Sequence, residues 1–192
     1  MSLRPQIRIL ALNGKQTGAL SMPIYEINGK RPQVGKGTWI APSAEIIGDV
    51  TIGDCCYIGF GAIIRGDFGS ITIGSQTLIE EAVVIHCASS ATIGSRVIVG
   101  HKAMLHDTTI HDNALIGMQS MICDFSEIQE WSIVAEQSLI MKRQVVPTGK
   151  IFGGSPAQEI GVVKQAHKDR FNFGIEAYGE LTAQYLETFR KV

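Results

Sequence analysis

Between residues 40 and 140 the aliphatic positions fall on a six-residue beat. The beat runs through Ile40, Ile46, Ile52, Ile58 and Ile64, then Ile73, Ile79 and Ile85, then Ile93, Val99 and Leu105. It finishes with Ile110, Ile116, Ile122, Ile128, Val134 and Ile140. A period of six matches neither the 3.6 of a helix nor the 2.0 of a lone strand. Glycine often follows the beat, as at Gly53, Gly59, Gly74, Gly94, Gly100 and Gly117; inside a helix each would cost about 1 kcal/mol. The pattern therefore predicts an all-β solenoid, a parallel β-helix of hexapeptide repeats. Three hexads make one triangular turn, so residues about eighteen apart stack and the beat side chains point inward as an aliphatic column. The seventeen beats predict about five to six turns, with each glycine expected to supply the positive φ of a tight corner.

The breaks in the pattern define the rest of the chain. Residues 1–21 lie outside the beat and carry Arg4, Arg8 and Lys15 with no acidic residue; they read as a disordered leader apart from the fold. Residues 22–160 are expected to form the β-helix with its N-terminal cap, a short hairpin from Ile24 to about Ala41 turning at Asn28-Gly29. Residues 161–192 carry Phe171, Ile175, Tyr178, Leu181, Tyr185, Leu186 and Phe189 at helical spacing. They predict a C-terminal α-helix, or a helix pair, packed back along the β-helix over its open edge. Residues 67–71 and 86–92 interrupt the beat and predict loops on the functional face.

Composition narrows the function. A chain of 192 residues, 45% hydrophobic and 18% charged, suits one compact domain. With 17 basic and 18 acidic residues, a net charge of −1 gives no reason to expect nucleic acid or an anionic membrane as partner. No apolar run reaches the length of a membrane span. Cys55, Cys56, Cys87 and Cys123 lack CxxC spacing and read as small buried hydrophobes in a reducing, cytoplasmic compartment. Cys87 adjoins His86, where a thiolate could also join a metal or act as nucleophile.

The candidate chemistry centres on His86, His101 and His106. One turn beyond His86 falls near His106, so these two should lie one above the other, within reach of a common ion. His101, five residues earlier, belongs near the preceding corner and should point away from that pair. A single chain therefore closes a three-histidine site only with difficulty, whereas a neighbouring subunit could complete it, which predicts a ring of three chains with a metal at each interface. Three neutral imidazoles around an open position suit catalytic zinc; the alternative is polar turn residues tolerated by the repeat. Arg65 and Asp67, in the string Arg65-Gly66-Asp67, sit one coil before His86. They could organise an interface, hold an anionic substrate, or form an ordinary surface ion pair. Glu80 and Glu81 lie on the coil below, where a carboxylate could take a proton or orient a ligand imidazole; strand alternation would send them to opposite faces.

The hexapeptide repeat, Arg65-Gly66-Asp67, His86 and the His101/His106 pair together resemble the γ-class carbonic anhydrase family over about residues 23–185. The resemblance implies a left-handed β-helix in a homotrimer, with zinc, or else iron or cobalt, held by His86 and His106 of one chain and His101 of the next. It implies that metal-bound hydroxide attacks carbon dioxide to give bicarbonate, with Arg65 and Asp67 organising the interface and active-site hydrogen bonds. Tyr178 looks like the tyrosine that short members of the family place near the metal. Two departures stand out: Glu80-Glu81 replaces the usual Gln-Asp, and only six residues separate His86 from Ile93, too few for the long acidic proton-shuttle loop. The similar carnitine-operon and phenylacetate-degradation branch implies metal-dependent acyl-CoA hydrolysis as an alternative. A CoA-dependent acyltransferase using a histidine base, or a metal-binding scaffold without turnover, are further alternatives.

Overall fold

The computed structural model describes residues 23–192; the leader expected over residues 1–21 lies outside them. The chain winds into a parallel β-helix of the left-handed hexapeptide type. On one face Trp39–Ile40, Tyr57–Ile58, Leu78–Ile79, Ile98–Val99, Leu115–Ile116, Ile133–Val134 and Lys150–Gly154 stack in order, one strand per coil, giving seven coils. The other two faces form one continuous sheet, because Glu45–Ile52 and Ile63–Ile73 run through the corner between them. Seven coils exceed the five to six expected because the beat continues at both ends. Val34 pairs in register with Ile52, Val146 with Ile128 and Phe152 with Val134.

Every one of the seventeen beat residues is at most 5% exposed. They form one unbroken aliphatic column, each side chain contributing roughly 1.5–3 kcal/mol of transfer free energy. Small residues such as Ala44, Cys56, Ala62, Ala103 and Ala114 fill the inner corners beside it.

The glycines after the beat do a different job from the one expected. None of Gly53, Gly59, Gly74, Gly94, Gly100 and Gly117 has φ in the left-handed region. They are there because adjacent coils approach too closely for a side chain: a Cβ on Gly74 would lie 2.5 Å from the backbone nitrogen of Ser95. The left-handed corner residue comes three positions after the beat and is mostly not glycine, as at Gln76 (φ 56°), Arg96 (φ 55°), Lys102 (φ 62°) and Gln119 (φ 59°).

Of the hairpin expected at the N-terminal cap only the turn forms: Ile27 and Lys30 exchange backbone hydrogen bonds around Asn28-Gly29, both at positive φ. Beyond that bridge Ile24–Tyr25 and Gln33–Val34 each pair in parallel with Glu45–Ile52 rather than with each other. Parallel pairing wins because Ile24 then stacks on Ile46 and Val34 on Ile52, continuing the sheet rather than closing it. At the other end Lys150–Gly154 folds back antiparallel onto Ala157–Val162, a hairpin that the beat gave no sign of.

A single helix, Gln165–Thr188, follows. It buries Phe171, Ile175 and Thr182 and lies along a flat face of the solenoid rather than an open edge. Phe171 meets Trp131 near one end of that face, and Tyr185 and Phe189 meet Trp39 at the other. Its 24 residues span about 36 Å, enough to cross several coils spaced about 4.8 Å apart. No helix among the described residues is long and apolar enough to cross a membrane.

Candidate metal centre

The first half of the site lies where the beat is interrupted, although residues 67–71, expected as a loop, continue the strand Ile63–Ile73, and only residues 87–89 of the second interruption leave the strands. Arg65, His86 and His106 occupy equivalent positions on three successive coils, with Arg65 paired to His86 and His86 to His106 in the parallel ladder. The His86 and His106 rings stack with centroids 5.1 Å apart. The His86–His106 separation exceeds one ideal turn because residues 86–92 widen the corner. That corner is held by Asp107, whose Oδ1 accepts the backbone N–H groups of Ala88 and Ser89, both at 2.9 Å.

Carboxylates surround this pair. Asp67 Oδ1 lies 3.2 Å from His86 Nε2, and its other oxygen accepts a 2.5 Å hydrogen bond from Arg65 Nη1. Partial burial pushes the Asp67 carboxyl upward, but the bonds to Arg65 and His86 outweigh it and leave the group below its ordinary range. Asp124 Oδ1 lies 2.7 Å from His106 Nδ1, and this hydrogen bond holds Asp124 below the ordinary carboxylate range as well. An ionised carboxylate only accepts, so Nδ1 of His106 carries the hydrogen and Nε2 is left with a free lone pair. The exposed Phe68 ring stands edge-on to His86 at 6.0 Å.

His101 is elsewhere. It follows the strand Ile98–Val99, at the corner before Met104–His106. About five extended residues, on the order of 15 Å of chain, separate it from His106. Glu80 and Glu81 lie directly beneath it. Contrary to the alternation argument, both turn the same way: Glu80 Oε2 is 3.1 Å from His101 Nε2, and Glu81 Oε2 is 2.7 Å from Nδ1. The two glutamates fall after the strand Leu78–Ile79, on a corner, where strand alternation no longer applies. Burial pushes the Glu80 carboxyl above its ordinary range despite the opposing pull of His101. Tyr178, reaching in from the helix, faces Glu80, and burial followed by that negative charge raises its phenol.

The donor set fits a divalent cation. Imidazoles and carboxylates supply nitrogen and oxygen ligands, and the four carboxylates Asp67, Glu80, Glu81 and Asp124 outnumber the cations paired with them, Arg65 on Asp67 and Lys142 on Asp124. His106, Asp107 and Asp124 by themselves bring three donor atoms within 4.8 Å of one another. Asp107 is already committed to the loop backbone, so His106 with its Asp124 partner is the part that remains available.

Residues 31–66 match the bacterial transferase hexapeptide (six repeats) family. The chain is 34% identical over 155 residues to the carnitine operon protein CaiE of Escherichia coli, covering 79% of each. It is 35% identical over 165 residues to γ carbonic anhydrase 2, mitochondrial, of Arabidopsis thaliana, covering 78% of this chain and 59% of that relative. The crystal structure of a hexapeptide transferase family protein from Anaplasma phagocytophilum superposes with a TM-score of 0.82 at 32% identity, covering 84% of this chain and 97% of that one. The chain belongs to the hexapeptide-repeat family of γ-carbonic-anhydrase-like proteins. It spans about three-fifths of the plant relative's length.

Within this γ-carbonic-anhydrase-like chain, Arg65, Asp67, His86 and His106 are brought together, and Glu80, Glu81, Tyr178 and His101 form a second group one face away. Sequence reasoning missed Asp124, although its spacing of eighteen from His106 is one ideal turn. It also missed Phe68 and Tyr57, whose hydroxyl donates a 2.7 Å hydrogen bond to Glu81 Oε1; no spacing rule gave a signal for either. The four cysteines are free, but only Cys56 and Cys87 are buried; Cys55 is exposed at a corner and Cys123 is half-buried. The Cys87 thiol faces the Ser70 carbonyl and is pushed up by burial, which argues against a thiolate beside His86.

Proposed function

We propose that this protein hydrates carbon dioxide to bicarbonate at metal sites shared between the subunits of a homotrimer. Each site would take His86 and His106 from one chain and His101 from the next. The observation that carries the reading is the in-register stack of His86 on His106, flanked by the Arg65–Asp67 pair, with His101 a full face away. A chain cannot fold that distance shut, but a second copy docked against the intervening face can supply the third imidazole. The outward residues of that face, Ile63, Val84, Met104, Met121 and Leu139, stack in register as an apolar strip suited to such a contact.

Zinc, iron or cobalt bound by three neutral imidazoles supplies Lewis acidity and makes hydroxide available near neutral pH. The chain's own groups prepare the site. Asp124 fixes the tautomer of His106, and Asp67 orients His86. Glu81 holds Nδ1 of His101, so its Nε2 is the nitrogen that can be offered outward once Glu80 yields. Glu80, buried beside Tyr178, then serves as a nearby proton acceptor. Arg65 can pair with the anionic product while Phe68 gives an apolar wall for carbon dioxide. A reducing compartment, the cytoplasm, fits four free cysteines; the plant relative carries "mitochondrial" in its name.

The test is metal content per chain in protein purified without chelator, followed by parallel assays of carbon dioxide hydration and acyl-CoA hydrolysis. About one metal per chain with hydration supports the reading. Metal with thioester hydrolysis alone moves the activity to the carnitine-operon-like alternative. No metal after anaerobic reconstitution overturns the metalloenzyme and favours a metal-independent acyltransferase or a scaffold.

A further inference from the structure

His101 is anchored through a chain of contacts that ends deep under the C-terminal helix. The Tyr57 hydroxyl donates a 2.7 Å hydrogen bond to Oε1 of Glu81, whose other oxygen, Oε2, lies 2.7 Å from Nδ1 of His101. Tyr57 is 2% exposed. Its ring stacks on Trp39 with centroids 5.2 Å apart and meets Tyr178 edge-on at 4.9 Å. The corner is shaped for the contact: a Cβ on Gly59 would lie 3.0 Å from Glu81 Oε1 and 2.8 Å from the Glu80 backbone. A larger residue at position 59 would push the two glutamates off the coil.

We infer that Tyr57 is a positioning residue for the metal ligand His101, acting through Glu81. The inference rests on the reading of His101 as the ligand contributed across the subunit interface. Glu81 is a partly exposed side chain with several accessible rotamers, and a carboxylate left to itself would sample them. With Oε1 on an immobile buried phenol and Oε2 on the imidazole, it has one geometry. That fixes the hydrogen on Nδ1 and the ring plane, leaving Nε2 for the ion. The contact of Glu80 with Nε2 is longer, at 3.1 Å, and is the one that ligation replaces. The trapped ring costs little further order when the ion arrives, which is how an anchor far from the metal raises affinity.

The competing explanation is that Tyr57 merely finds a convenient acceptor for a buried hydroxyl. The two separate on cobalt(II) affinity, measured by chelator competition on the whole protein. Tyr57→Phe keeps the aromatic ring and is expected to weaken cobalt binding about tenfold, the usual scale for a partner behind a ligand. Glu81→Gln should lose at least as much, and the double variant no more than Glu81→Gln alone, because the two act in series. Tyr185→Phe, in the same aromatic cluster, should bind as the wild type does. Nitrogen-15 shifts of the His101 ring in metal-free protein give a second readout: an Nδ1 that stays protonated in the wild type and becomes mixed in Tyr57→Phe, whatever Nε2 does opposite Glu80. Wild-type affinity in Tyr57→Phe, additive losses in the double variant, or an unchanged ring tautomer would each overturn the inference while leaving the metal site intact. A wild type that binds no cobalt overturns the proposed function itself, and the role of Tyr57 with it.

Discussion

Asp124 sits one coil above His106 and meets it at 2.7 Å, Oδ1 to Nδ1, the shortest contact either histidine of the stacked pair makes with a carboxylate. A histidine on the sheet surface can rotate and exchange tautomers; this one cannot without breaking that bond. The same coil spacing that builds the core therefore also delivers an orienting carboxylate to the site.

Asp124→Asn is accordingly expected to accelerate metal loss about ten- to hundredfold, read as the rate of release to excess chelator. Stability should change by less than about 0.5 kcal/mol, because the side chain lies on the surface away from the core. Unchanged release would mean that His106 is oriented by something else.

His101→Ala should abolish metal binding and leave the chain folded, since the residue sits on a corner outside the aliphatic column. His86→Ala should do the same from the other side. In the proposed homotrimer, co-expressing the two variants should restore metal, because every mixed trimer contains one interface with both halves intact. Elemental analysis of the mixed population reads the result, and failure to regain any metal contradicts a site shared between chains.

Ile85→Ala removes a fully buried beat residue that stacks between Ile64 and Leu105. The expected cost is about 2–5 kcal/mol, measured by chemical denaturation. An equal truncation at Val84, which points outward on the same strand and is partly exposed, should cost the single chain far less. Its larger effect is expected on dissociation of the proposed trimer.

Gly74 and Gln76 should respond unequally. Gly74→Ala forces a Cβ to within 2.5 Å of the Ser95 nitrogen, so denaturation should show a loss of about 2 kcal/mol or more, on the scale of overpacking. Gln76→Gly, at φ 56°, trades relief of left-handed strain against a more disordered unfolded chain. It should fall within about 1 kcal/mol of the wild type. A mild Gly74→Ala would show that adjacent coils can move apart.

The sequence by itself determined the solenoid. A six-residue aliphatic beat has one way to bury itself, and the beat residues from Ile40 to Ile140 are all inside. It also determined that His86 and His106 stack and that His101 stands apart, because both follow from counting residues per coil. Local backbone geometry was less legible: glycine after the beat looked like a corner residue, whereas the corner falls three positions on and the glycine answers to the coil above it. What only the tertiary structure decided are contacts between elements with no fixed spacing. Glu80 and Glu81 turn together onto His101 because they sit past the strand end, where alternation stops. Tyr57 reaches Glu81 across coils whose offset is altered by the 67–71 interruption. The helix brings Tyr178 to Glu80 only because Phe171, Ile175, Tyr185 and Phe189 dock on a face that the repeat alone leaves bare. Periodicity places residues that recur; side chains that meet only once are placed by packing.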